Sequence, residues 1–238
     1  MRNIILIPII VLSVAASWFI WSRTPEYIHQ GGPLLILGLT CFFLALTFSI
    51  ERFFVRWRAG GRRNVAGFVR NLKDSVHAGE IDKAIEACKR QGGSLANVVG
   101  AGLQRFLHLR PSTPDQRDLL DETRRAIQEA SSLESPLLER NLTALSTIAS
   151  IATLIGLLGT TIGMIRAFRA MSRAGAPDAT QLALGISEAL VNTALGLMTA
   201  IIATVLYNYF TTRVDGFTTR MEETSYEVLQ ILEHSKGA

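Results

Sequence analysis

Residues 139–210 read ERNLTALSTIASIATLIGLLGTTIGMIRAFRAMSRAGAPDATQLALGISEALVNTALGLMTAIIATVLYNYF, and this stretch decides the fold. It holds two apolar runs, Leu142–Ile165 and Leu182–Phe210, joined by a polar turn around Ala174–Thr180. Each run exceeds the roughly 20 residues with which a helix crosses a bilayer. Neither has the composition of a passive anchor. Both are seeded with Gly, Ala, Ser and Thr, and the second carries a carboxylate, Glu188, near its start. Small residues let membrane helices approach closely, and polar ones bond across helices or face water. An ionisable residue inside such a run points to function.

The rest of the chain fits around that pair. Of its 238 residues 48% are apolar, they are bunched, and the mean hydropathy is +0.27. This is the composition of a polytopic membrane protein with a modest soluble part. Two cysteines, Cys41 in an apolar run and Cys88 in a charged helix, make no disulfide framework. Four scattered histidines offer no metal site, and no Gly-rich phosphate loop follows a strand, so no cofactor is expected. No nucleophile, base and oxyanion set is present, which argues against an enzyme. The basic residues lie beside apolar runs, where topology explains them better than nucleic acid does.

Upstream, Ile4–Ser22 is apolar and reads either as a secretory signal with a small-x-small site at Ser13–Ala15 or as a retained helix. Its length through Trp18, Phe19, Ile20 and Trp21 favours retention. A break containing Pro25, Gly31, Gly32 and Pro33 precedes the next apolar run, Pro33–Ile50. Arg52, Arg56, Arg58, Arg62 and Arg63 follow it and mark a cytoplasmic exit. Asn64–Arg140 is soluble in composition. Val65, Phe68, Val69, Leu72 and Val76 recur at helical spacing, Ile81, Ala84, Ile85 and Cys88 form a second face ended by Gly92-Gly93, and Leu95–Leu109 a third. After Pro111 and Pro114, Asp115 starts a long charged helix, with Pro136 as the point where it bends or restarts. No strand alternation appears.

The predicted class is therefore all-α: a polytopic helical membrane protein whose long helices extend into a cytoplasmic helical region. Its parts are an N-terminal segment 1–30, a first membrane helix 31–51, a cytoplasmic region 52–140, a helix pair 141–210 and a C-terminal helix 211–238. The pair runs inside to outside and back. Arg166, Arg169 and Arg173 conflict with that direction, since they fall on the outer side.

Within the pair, Ser146, Ser150, Thr153, Leu157 and Thr160 share one helical face, beside a small-xxx-small pair, Gly159 and Gly163. On the returning helix Gly185, Ala189, Thr193, Gly196, Ala200 and Ala203 form a small stripe, and Glu188, Asn192 and Thr199 line another face. Packing is the expected role of Gly156, Gly159, Gly163, Gly185 and Gly196. Thr153, Thr160, Glu188, Asn192 and Thr193 are the candidate lining of a polar path. Hydroxyls hold water but do not titrate at ordinary pH, so a proton path here calls for a titrating group from another chain.

These residues resemble a known family. LIGLLGTTIGMIRAF (154–168) resembles the second membrane helix of the MotA/TolQ/ExbB proton-channel family, and GISEALVNTALGLMTAIIATVLYNYF (185–210) its third. GGPLLIL and SIERFF resemble the first helix and its exit, and GEIDKAIEACKRQGGSLANVVGAGL (79–103) the cytoplasmic segment of ExbB-type members. The resemblance implies an inner-membrane homo-oligomer, a five-fold ring, around two copies of an ExbD/TolR-like partner whose single span carries a titrating Asp. Proton flow then drives work on the cell envelope through a further protein such as TonB. It also implies that Thr160 and Thr193 line the lumen and that Glu188 is the family's third-helix Glu. Glu188 and Thr193 are five residues apart, about 140° around a straight helix, so they do not face one axis equally. Two departures stand out: Thr153 and Ile202 occupy positions where the family usually has proline, which predicts straighter helices with fewer freed carbonyls. A MotA-like stator and a non-conducting scaffold are the competing expectations; the short chain and GGSLANV favour the ExbB type.

Overall fold

The computed structural model describes residues 2–23, 32–59, 65–113, 115–172 and 178–234. All regular structure among them is helical, as expected from the missing strand alternation. In chain order the helices are α1 (Arg2–Arg23), α2 (Leu34–Ala59), α3 (Val65–His77), α4 (Ile81–Gln91), α5 (Ser94–Leu109), α6 (Gln116–Glu139), α7 (Leu142–Met171) and α8 (Ala179–His234). Among the described residues three segments are long and apolar enough to cross a membrane: Leu34–Phe54, a window within Gln116–Met171, and one within Ala179–His234. Arg62, Arg63, Arg173 and most of the 174–180 turn lie outside the described residues, as do the side chains of Arg56 and Arg58 on the last turns of α2.

The chain forms two compact units. Met1–Glu51 and Asn141–Phe210 make the first, and Arg52–Arg140 and Thr211–Ala238 the second.

The first unit contains α1, most of α2, α7 and the apolar part of α8. Ser13 and Ser17 of α1 are buried, and the Thr40 hydroxyl of α2 donates to Ser17 Oγ at 3.3 Å. α7 and α8 carry a buried stripe each: Leu145, Ala152, Gly156, Gly159, Gly163 and Ala167 on one, Ala189, Asn192, Thr199 and Ala203 on the other. Many large apolar side chains on the remaining faces are exposed, among them Leu154, Leu157, Phe168, Leu190, Ile201 and Val205. That is the pattern of helices whose outer surface meets lipid or other membrane helices, where packing rests on small residues.

The second unit has an ordinary apolar core. Phe68, Leu72 and Val76 of α3, Ile81, Ala84, Ile85 and Cys88 of α4, and Val98, Val99, Leu103 and Phe106 of α5 pack with Leu119 and Ile127 of α6 and with Met221, Val228, Ile231 and Leu232 of α8. The faces read from helical spacing are the ones buried here. Gly92 (φ 63°) and Gly93 (φ 84°) turn the chain between α4 and α5 in a region that side chains avoid. Asp115 caps α6 by accepting from the Arg117 amide at 2.8 Å, as its position before the charged helix predicts.

Of the two expectations for Pro136, a bend or a restart, the restart falls elsewhere. Pro136 lies inside α6, which continues to Glu139. The restart is at Asn141, whose backbone is left-handed at φ 63°, ψ −1°. Pro136 lies within the last turn of α6, where it withholds the one backbone donor that would bond Ser132 O. A helix end leaves carbonyls without intrahelical donors. One of them, Leu138 O, accepts from Arg52 Nη1 at 2.7 Å. Arg52 is only 3% exposed, so beyond marking topology it is a buried cap.

Candidate functional site: the α7–α8 pair

The two membrane helices approach at their glycines. A Cβ added to Gly163 would lie 2.6 Å from Gly185 O, and one on Gly196 would lie 2.6 Å from Ala152 O and 2.8 Å from Gly156 Cα. A Cβ added to Gly156 would come to 3.4 Å from both Gly196 Cα and Thr193 Cα, and Gly159 leaves room for the Asn192 side chain. The five glycines read as packing residues thus all sit where α7 meets α8. Asn192 belongs with them: it is 3% exposed, is seated against Gly159, and its Nδ2 donates to Glu188 O at 2.9 Å.

The polar groups divide to either side of this seam. At 100° per residue, Thr153 and Thr160 fall on one flank of the α7 stripe and Arg166 on the other. On α8, Thr193 and Glu188 flank the stripe in the same opposed way. The helices are antiparallel, which brings the three threonines to one side of the pair and Arg166 and Glu188 to the other.

On the threonine side, the Thr193 hydroxyl bridges the helices, donating to Gly156 O at 2.9 Å. Thr160 donates to Leu157 O at 2.7 Å, Thr153 to Ala149 O at 3.2 Å and Ser150 to Ser146 O at 3.3 Å. Each hydroxyl spends its proton on a carbonyl and keeps lone pairs for water. Thr153, Thr160 and Thr193 are partly exposed and Ser150 is exposed, which leaves this face open in the single chain. Ala149 O is the carbonyl that a proline at position 153 would free; here the threonine takes it, and α7 runs unbroken from Leu142 to Met171. α8 likewise runs unbroken through Ile202.

On the charged side, Arg166 Nη1 donates to both carboxylate oxygens of Glu188. Glu188 is 5% exposed, whereas half of the Arg166 side chain is open. Gly32, at φ 64°, closes over the pair: a Cβ there would collide with Glu188 Oε1 and lie 3.3 Å from Arg166 Nη1. Leu195, about two turns further along the same flank, reaches Gly38 of α2. Glu188 therefore faces the α2 side of the pair, and not the threonines. Sequence reasoning misses this ion pair, although its signal is present as a carboxylate within one apolar run and an arginine directly after the other.

Comparison with known proteins agrees with this architecture. The profile described as "MotA/TolQ/ExbB proton channel family" matches residues 91–223. The chain belongs to the MotA/TolQ/ExbB proton channel family. Among relatives, the Tol-Pal system protein TolQ of Haemophilus influenzae is 34% identical over 152 residues, covering 62% of this chain and 67% of the relative. The putative biopolymer transport protein ExbB-like 1 of Synechocystis is 30% identical over 202 residues, 82% of this chain and 75% of the relative. The biopolymer transport protein ExbB of Pseudomonas putida is 27% identical over 173 residues, and the match spans 51% of that longer protein. The matched region takes in α7 and the membrane part of α8, in keeping with a multi-pass membrane protein.

Proposed function

We propose that this protein is the ring-forming subunit of an ExbB/TolQ-type proton channel. In this reading several copies, five by the family resemblance, surround an ExbD/TolR-like single-span partner. The partner supplies the titrating Asp, and proton flow drives work on the cell envelope through a TonB-like or equivalent protein. The basic exit of α2 at Arg52, Arg56 and Arg58 sets the region 52–140 and the C-terminal end of α8 on the cytoplasmic side.

The observation that carries the reading is the threonine side of the α7–α8 pair. Thr153, Thr160 and Thr193 present hydroxyl oxygens on one partly exposed face, on helices held close by glycine. Such a face holds water and a partner's protonated carboxyl, and does not itself titrate. Lipid-facing positions have no use for a row of hydroxyl acceptors, whereas a water-bearing interface does.

The test is proton flux into liposomes that contain this chain with its ExbD-like partner, under an imposed pH gradient and potential. Flux that requires both chains and falls at least tenfold in Thr160→Val or Thr193→Val, with assembly retained, supports the channel. An assembled complex that passes no protons, even with an energised downstream partner present, overturns it in favour of a scaffold.

A further inference from the structure

We infer that Glu188 does not carry the ion but is one half of a fixed charge clamp with Arg166, closed by Gly32, and that the ion path follows the threonine side alone. The inference rests on the channel reading and names a positioning role within it. Three observations support it. Both carboxylate oxygens of Glu188 are engaged by one guanidinium nitrogen, which ties the carboxylate to a counterion. Gly32 fills the space in front of Oε1 so closely that not even a methyl group fits. The carboxylate also lies across the glycine seam from Thr193, with Gly159, Asn192 and Ala189 packed between the two sides. A carrier must exchange its proton with water on the path, and this carboxylate is shut from that face. Its work is to hold the outer ends of α7 and α8 and the Gly32 turn in register.

The clamp and the carrier predict opposite rankings. In a clamp, Arg166→Gln is the damaging change, because it strands the buried Glu188 carboxylate without a counterion. Glu188→Gln is milder, since Arg166 is half open and its guanidinium turns to water. Arg166→Gln/Glu188→Gln removes both charges at once, so no buried charge is left without a counterion and most of the single-variant penalty is avoided. In a carrier, Glu188→Gln and the double variant are both inactive.

The experiment measures proton flux for the wild type, both single variants and the double variant, each as the full chain assembled with its ExbD-like partner in liposomes. Melting temperatures are taken on the same purified complexes. The clamp is expected to give a loss of fivefold or more in Arg166→Gln, a smaller loss in Glu188→Gln and flux within about twofold of wild type in the double variant. The melting temperature should follow the same order, with the double variant recovering most of the single-variant loss. A double variant as inactive as Glu188→Gln, beside an active wild type, overturns the clamp and leaves the channel standing. Absence of wild-type flux overturns the channel instead. The melting temperatures then decide the clamp by themselves: shifts that simply add in the double variant refute the pairing.

Discussion

Gly163 and Gly185 stand so close that a methyl group on either would strike the carbonyl of the other, at 2.6 Å from Gly185 O and 2.9 Å from Gly163 O. Atoms of the backbone cannot step aside as the end of a flexible side chain can. Gly163→Ala and Gly185→Ala are therefore each expected to destabilise the α7–α8 pair by about 1–3 kcal/mol, the usual range for overpacking. The double variant should cost less than the sum, since one displacement of the helices serves both. Thermal unfolding of the purified complex checks this; a Gly163→Ala protein as stable as wild type would mean the helices do not meet here.

Thr193 offers a separate test on the other flank. Its hydroxyl bonds across the seam to Gly156 O, and such bonds in membrane proteins average about 0.6 kcal/mol. Thr193→Ser keeps the hydroxyl and is expected to keep flux within about twofold. Thr193→Val keeps the shape and loses both the bond and the acceptor. Its stability should fall by less than about 1 kcal/mol while flux falls at least tenfold. Equal flux in the Ser and Val variants would remove the hydroxyl from the path.

How far the sequence carried this reading follows from the range of each signal. Apolar run length, the glycine and alanine steps of three and four, and the amphipathic faces of α3, α4 and α5 are local, and each appears in the structure. What failed were signals that depend on distant register. Pro136 is the conspicuous helix breaker by local rules, yet α6 runs through it and the chain turns at Asn141, a residue type that tolerates the left-handed region. Arg52 read as one more basic topology marker, and only the meeting of positions 86 residues apart reveals it as the cap on Leu138 O. The Arg166–Glu188 pair needed the axial register of two helices that no single helical wheel contains. Asn192 was grouped with Glu188 by spacing, and its burial against Gly159 sets it in the seam instead.

The turn at Asn141 separates two contributions in one position. Its Nδ2 donates to Glu51 Oε2 at 2.7 Å, and its backbone is at φ 63°. Asn141→Gly loses the bond but suits the backbone, while Asn141→Ala loses the bond and adds strain. The alanine variant should be about 1 kcal/mol less stable than the glycine variant, the strain of the left-handed region offset in part by the greater freedom of unfolded glycine. A glycine variant less stable than the alanine one in chemical denaturation would contradict the turn.

Glu122 links the second unit to pH. The hydrogen bond from Arg105, at 2.9 Å, holds its carboxyl below the ordinary glutamate value, and the charges of Arg125 and Arg105 add to this. A carboxyl lowered by folding stabilises the fold above its unfolded pKa, about 4.3, and that contribution is lost as pH falls through the lowered value. Wild type should therefore exceed Arg105→Ala in stability near neutrality, with the difference closing on acidification below pH 4 or so and shrinking in high salt. Denaturation curves taken from pH 7 downward measure it; a gap that widens in acid would have the wrong sign.

Cys88 reports on the integrity of the same core without altering it. It is 4% exposed, and burial pushes its thiol up to about 12. Gly100 brings the α5 backbone against it, where a Cβ would be 3.3 Å from Cys88 Cβ. At pH 8 about one thiol in ten thousand is then ionised, and the thiolate is the reactive form. Alkylation of Cys88 in the native protein, followed by mass spectrometry of its peptide, should run at least a hundredfold slower than in denaturant. Gly100→Ala, which presses on the thiol and loosens α4 from α5, should raise that rate by increasing local opening. A native rate equal to the denatured one would mean that α4 does not pack as described, whereas protection lost only in Gly100→Ala would tie the thiol's burial to the close approach of these two helices.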